Sequence, residues 1–148
     1  MPNDYSKSVG IMFPSSWPED KDDAHCTLIY LGDMDALTCT REDLEIVVKR
    51  LDTRAPEEVI VTGVDLFGPE KNVLVATLDP IKLQPIRDSF ERTLAKINVF
   101  NGSQYTDYNP HVTITEEFGG TMENAIEDTK LPRTVFLGKP RLWWGNEH

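Results

Sequence analysis

The sequence predicts an α+β fold built on antiparallel strands. Strand-like alternation and helical spacing interleave along the chain, in the order β β α β β α β (α) β β. Two β-prone runs, residues 59–67 and 73–78, flank the turn Gly68-Pro69-Glu70-Lys71-Asn72 and read as a β-hairpin. The links between elements are short, which favours antiparallel neighbours over parallel crossovers. At 148 residues, the chain is expected to form one domain over 1–148.

Residues 6–13 carry Val9, Ile11 and Phe13 in alternation, as a strand does. Residues 14–23, with two prolines and a charge run, read as a loop. His25-Cys-Thr-Leu-Ile-Tyr-Leu-Gly32 is β-branched and aromatic-rich and ends on glycine, a strand signal. After a connector, Thr40 stands three residues before Asp43, close to a capping box. Leu44, Val47, Val48 and Leu51 follow at helical spacing, and Pro56 ends that helix. The first hairpin strand carries Val59, Val61 and Val64-Asp-Leu-Phe67, with a kink expected at Gly63.

Asp79-Pro80 is expected to open a second helix, with an apolar stripe of Leu83, Ile86, Phe90, Leu94 and Ile97. Pro85 lies near its start, where proline is tolerated. Residues 98–109 read as a polar and aromatic loop, and His111-Val-Thr-Ile-Thr115 as a strand that ends before Gly119-Gly120. Residues 122–128 suit a short helix. Residues 132–144, broken by Lys139-Pro140, suit one or two late strands.

Composition narrows the function classes. Hydrophobic residues make up 39% of the chain and charged residues 27%, which fits a soluble globular protein rather than a disordered one. Fifteen Lys and Arg against 25 Asp and Glu leave a net charge of −10. That balance argues against binding to long DNA or RNA, which needs a positive face. It is compatible with a small phosphorylated ligand held by a few local donors. No apolar run approaches the roughly 18 residues that suggest a transmembrane helix, and residues 1–10 lack an apolar signal core. A cytoplasmic, reducing setting is therefore expected. The two cysteines, Cys26 and Cys39, form no CxxC pair, and the chain lacks zinc-ligand spacing. Neither a metal nor another cofactor is expected.

The chemistry lies in a repeated pattern. His25-Cys26-Thr27-Leu28 and His111-Val112-Thr113-Ile114 both read His-x-Thr-aliphatic, and they contain two of the three histidines in the chain. Each copy lies on a predicted strand with helical material following, a faint long-range duplication. Side chains two apart on a strand share a face, so His25 and Thr27 point one way, as do His111 and Thr113. If the two strands are close, two imidazoles and two hydroxyls converge on one cleft. Imidazole, with an unperturbed pKa of roughly 6.5, exchanges protons near neutrality. At a phosphodiester, one neutral imidazole would deprotonate the attacking oxygen, and an imidazolium would protonate the leaving oxygen. The threonine hydroxyls would bind the non-bridging phosphoryl oxygens. The residues alone leave open which histidine takes which role.

These paired motifs resemble those of the two-histidine (2H) phosphoesterase superfamily, which includes 2′–5′ RNA ligase-like proteins, cyclic nucleotide phosphodiesterases and phage-encoded members. The resemblance spans most of the chain, from Val9 to Trp144. It takes in the order of elements, Val61-Thr-Gly-Val-Asp-Leu-Phe-Gly68 between the motifs, and Asn109-Pro110 before the second histidine. It implies a bilobal, pseudo-symmetric fold, with two antiparallel sheets facing a central cleft and helices outside. By it, His25 and His111 match the catalytic histidines, and Thr27 and Thr113 the phosphate-binding hydroxyls. Gly10-Ile-Met-Phe-Pro followed by the first motif also looks like phage forms, some of which cleave cyclic oligonucleotide immune signals. The implied substrate is a small nucleotide or cyclic oligonucleotide. The competing readings are a nucleotide-sequestering module without turnover and an RNA end-joining or end-processing enzyme.

Aromatic residues are candidates for stacking on a nucleobase. Tyr105 and Tyr108 precede the second motif, and Trp144 lies in the last strand. Alternation places one of Trp143 and Trp144 inward and the other outward. Cys26 is expected in the core, and Arg41 and Lys71 at the solvated surface. The run Glu19-Asp20-Lys21-Asp22-Asp23 reads as a solvated loop, and His148 as an untethered terminus.

Overall fold

The computed structural model describes residues 7–51, 55–100 and 108–145. Among them, the strands are β1 (Ser8–Pro14), β2 (His25–Asp33), β3 (Glu57–Phe67), β4 (Val73–Leu78), β5 (His111–Thr115), β6 (Thr134–Leu137) and β7 (Arg141–Trp144). The helices are α1 (Arg41–Arg50), α2 (Gln84–Ala95) and α3 (Met122–Asp128), with a 3₁₀ turn over Met34–Ala36. This is the α+β order read from the sequence. Tyr105 and His148 fall outside the described residues.

The strands follow one connected order, β6-β3-β4-β5-β2-β1-β7, rather than two separate sheets, and every neighbouring pair is antiparallel. The order is narrowest at its middle, where β2 and β5 share one register pair, Cys26 opposite Val112. Three strands lie on either side of that junction, β7-β1-β2 and β5-β4-β3. Strand β6 extends the second half and also touches the first. Leu137 bridges to Ser15, Gly138 N–H donates to the Pro14 carbonyl at 2.8 Å, and Ser16 N–H to the Phe136 carbonyl at 3.0 Å.

The helices form where local chemistry starts and stops them. At α1, Asp43 N–H donates to the Thr40 hydroxyl at 3.2 Å and Thr40 N–H to the Asp43 carboxylate at 3.1 Å, completing the expected capping box. Thr121 and Asn124 build a second capping box at α3. Helix α2 is shorter than the sequence reading at both ends. Asp79 instead accepts from Ile81 N–H at 3.0 Å and holds a turn ahead of the helix. Asn98, at φ 61°, turns the chain out, so Ile97 lies beyond the helix and the stripe closes on Leu94 and Val99. The kink in β3 is a register shift between Val61 and Gly63.

The core sits between the sheet and the helices. Ile11, Phe13, Cys26, Leu28 and Val112 from the strands meet Leu44 of α1 and Phe90 and Leu94 of α2, all at 0–1% exposure. Cys26 and Leu28 point down into this core, so alternation turns His25 and Thr27 to the opposite face. Val112 does the same for His111 and Thr113. The four residues of the paired motifs are half-buried and share the face that α1 and α2 leave uncovered.

Candidate active site

A cleft of about 320 Å³ opens on that face, lined by His25, Thr27, His111 and Thr113, with Met12, Lys21, Asp23, Ala24, Glu116 and Trp143 around them. The antiparallel pair Cys26–Val112 explains the convergence. One step to either side, it sets His25 across from Thr113 and Thr27 across from His111. All four side chains line the one cleft.

The two histidines are held by the same local device. The Nδ1 atom of His25 lies 2.9 Å from the Asp23 carbonyl, and that of His111 lies 2.8 Å from the Asn109 carbonyl. A carbonyl only accepts, so Nδ1–H is the donor in both, and Nε2 is left to take or give the working proton. Each ring also meets an aromatic ring from the strand two places away in its half of the sheet. Trp143 of β7 lies 5.6 Å from His25 between ring centroids, and Phe67 of β3 lies 4.6 Å from His111, nearly edge-on. Burial pushes the His111 imidazole below its ordinary pKa; the Asn109 carbonyl opposes this, and the nearby His25 adds to it.

Trp143, rather than Trp144, is the tryptophan of the cleft. Pairing of β7 with β1 sets Trp143 opposite Gly10, and a Cβ at Gly10 would lie 2.8 Å from the Ile29 carbonyl and 3.4 Å from the Trp143 ring. Glycine thus admits a close approach that any side chain would block. Trp144 points to the other face, packs against the core, and lies under the Arg41 guanidinium at 5.8 Å.

Tyr108 is also absent from the cleft. Its hydroxyl donates to the Thr27 carbonyl at 3.0 Å and lies 3.9 Å from the Cys26 sulfur. Its ring packs against the core beneath the buried Arg87, whose guanidinium is 4.5 Å from the ring centroid. Burial pushes the Cys26 thiol up to about 12 and raises the Tyr108 phenol further, so both stay protonated. Arg41 pairs with Glu45 at 3.2 Å, and Lys71 is exposed in the hairpin turn at φ 52°.

Sequence reading misses Phe67, Met12, Lys21 and Glu116. Lys21 belongs to a run that reads as solvated, and Glu116 follows the second motif with no pattern of its own. Phe67 ends β3, two places from the second histidine strand, and only the strand order brings it to His111. Among the described residues, no group of three or more His, Cys, Asp or Glu is arranged to hold a metal ion. No described helix is long and apolar enough to cross a membrane.

No protein-family model matches the chain, and no curated protein matches it. Solved structures do. TT0787 of Thermus thermophilus superposes with a TM-score of 0.58 at 13% identity, over 91% of this chain and 83% of that one. A structure described as a phosphoesterase superposes with a TM-score of 0.51 at 14% identity, over 92% of this chain and 83% of that one. At these identities the likeness is one of fold: the chain has a fold that a phosphoesterase also has.

Proposed function

We propose that this chain is a phosphodiesterase of the two-histidine type, acting without metal on a small nucleotide. The observation that carries the reading is the antiparallel meeting of two His-x-Thr strands at Cys26–Val112, with both Nδ1 atoms bound to the carbonyl two residues upstream. Two imidazoles on one cleft, each with Nδ1–H held by a carbonyl and Nε2 left for proton transfer, together with two threonine hydroxyls, are suited to in-line displacement at phosphorus. The phosphoesterase among the fold neighbours supports the same reading.

His111 takes the role of base, because burial favours its neutral form. Its Nε2 removes the proton from the attacking oxygen, which is water or a ribose 2′-hydroxyl. As the new P–O bond forms and the old one breaks, His25, as imidazolium, gives its Nε2 proton to the departing oxygen. Thr27 and Thr113 donate to the non-bridging oxygens, where negative charge builds. With a 2′-hydroxyl as nucleophile, one product ends in a 2′,3′-cyclic phosphate. With water, a cyclic phosphate opens to a monoester.

Size and charge narrow the substrate. The cleft lies at the small end of ligand pockets, which span roughly 300–1,000 Å³, and it suits one nucleotide unit at a time. Trp143 lines the cleft as a nearly buried ring behind His25 and gives it an apolar wall. Among the described residues, the wall carries Lys21 as its cation, against two acidic residues, Asp23 and Glu116. That balance suits a singly charged diester with uncharged surroundings better than one beside a terminal monoester. Cyclic mononucleotides meet this description; in a cyclic oligonucleotide each neighbouring phosphate is a singly charged diester, which lacks the second charge of a terminal monoester.

The test is incubation with chelator against 2′,3′-cyclic mononucleotides, 3′–5′ and 2′–5′ dinucleotides, and cyclic di- and trinucleotides. Cleavage of at least one diester in chelator is the expected result. Activity that disappears in chelator and returns with a divalent ion would overturn the metal-free mechanism. A 2′-deoxy version of the cleaved substrate separates the nucleophiles, since only water attack survives that change.

A further inference from the structure

We infer that Tyr108 is a positioning residue, which fixes the spacing of the two His-x-Thr strands from beneath the sheet. The inference rests on reading His25 and His111 as one acid–base pair.

The need for such a residue follows from the junction. Strands in a sheet are ordinarily held by a ladder of backbone bonds. Strand β4 pairs with β5 at four positions, but β2 and β5 share only Cys26–Val112. The two histidines therefore stand on halves of the sheet with little ladder between them. Acid–base work at phosphorus demands close placement, and an error of about 1 Å can cost roughly a hundredfold in rate.

Tyr108 supplies what the ladder lacks. Its hydroxyl reaches across the junction to the Thr27 carbonyl at 3.0 Å. The next two residues are tied as well. The Asn109 carbonyl accepts from His111 Nδ1 at 2.8 Å, and the Pro110 carbonyl accepts from Leu78 N–H of β4 at 2.9 Å. Three consecutive residues thus bind β2, the His111 ring and β4. The Tyr108 ring is itself set by Arg87 above it, which is held by Glu91 at 2.9 Å. Burial keeps the phenol protonated, so it remains a donor over the whole working pH range.

Tyr108→Phe removes the hydroxyl and keeps the ring on Arg87. Amide hydrogen exchange in the free protein is the first readout. In this variant, amides of residues 26–28 and 112–114 are expected to exchange at least tenfold faster, with those paired between β3 and β4 unchanged. The second readout is turnover of whichever diester of the panel the wild-type protein cleaves, where kcat falls at least tenfold and KM stays within threefold. Val47→Ala, a core truncation in α1, serves as the stability control and should leave kcat unchanged well below its Tm. Unchanged exchange at the junction, a rise spread evenly over the sheet, or unchanged kcat would overturn the inference. If the wild-type protein cleaves nothing, the phosphodiesterase reading fails, and the exchange result alone decides whether Tyr108 ties the strands.

Discussion

Cys26 and Val112 face each other as the one register pair between β2 and β5, and both side chains are fully buried. Everything reactive in the cleft is arranged around that pair. Because alternate residues point to opposite faces, two core side chains below place His25, Thr27, His111 and Thr113 above. The same pairing gives the site its approximate two-fold relation, with the two His-x-Thr strands running antiparallel on either side of it.

Activity should depend on pH through His111. In the proposed role of base, His111 must be neutral, and burial holds its pKa below the ordinary value of about 6.5. The acidic limb of kcat/KM should therefore lie below pH 6.5, with activity lost as pH falls through the lowered pKa. Stability follows the same sign. Between the lowered pKa and about 6.5, the unfolded chain binds a proton at this residue that the folded chain does not, so unfolding free energy rises with pH. Urea titrations from pH 5 to 7 should show that rise, and His111→Gln should flatten it. A slope unaltered by His111→Gln would contradict the assignment.

Gly10→Ala should damage both the sheet and the cleft. The added Cβ lies 2.8 Å from the Ile29 carbonyl, which is backbone and cannot swing away, and 3.4 Å from the Trp143 ring. Overpacking of this kind costs roughly 1–3 kcal/mol. The expected result is a drop in unfolding free energy of that size, together with a raised KM as Trp143 shifts. Trp143→Ala should also raise KM and cost more stability, roughly 3–5 kcal/mol, because the ring is buried and its Nε1–H donates to the Gly145 carbonyl. Equal stability of Gly10→Ala and wild type by chemical denaturation would show that the strand approach is looser than described.

Glu116→Gln should relax the charge selection of the cleft. Among the described residues, the wall carries one lysine and two acidic residues, and the substitution removes one negative charge without changing shape. A partly exposed charge acts modestly and is screened by salt. Relative to wild type, the variant should gain severalfold in kcat/KM for a cyclic nucleotide bearing an added 5′-phosphate. It should gain less for the unphosphorylated compound, and the difference should shrink in high salt. An equal effect on both compounds would refute the charge argument.

Much of this architecture is legible in the sequence because it is local. The β-branched and aromatic run of residues 25–32 and the β-prone run of 111–115 mark the histidine strands, and Thr40 with Asp43 marks the start of α1. Other features depend on pairing between distant segments. Alternation separates Trp143 from Trp144 but does not say which faces the cleft; the opposite Gly10 on β1 decides that. Tyr108 lies in a polar stretch and looks like a loop aromatic, yet its partners are Thr27 and Arg87, brought to it by the sheet and by α2. The link between the two halves at Cys26–Val112 leaves no trace in either strand alone. The end of α2 escapes a reading by periodicity because Ile97 continues the helical spacing past Ala95, while the left-handed turn at Asn98 is set by backbone conformation.

The most direct measurement compares wild type, His25→Ala, His111→Ala and the Thr27→Val/Thr113→Val double variant on the cleaved diester, in chelator, with products identified by mass spectrometry. Loss of either histidine should lower kcat by roughly 10²–10⁴-fold. The threonine pair should cost about 10²-fold or more through lost stabilisation of the phosphoryl oxygens. Chemical denaturation should show all four proteins folded. Retention of near wild-type turnover in either histidine variant would contradict a mechanism in which His111 takes the proton of the attacking oxygen and His25 gives a second proton to the departing one.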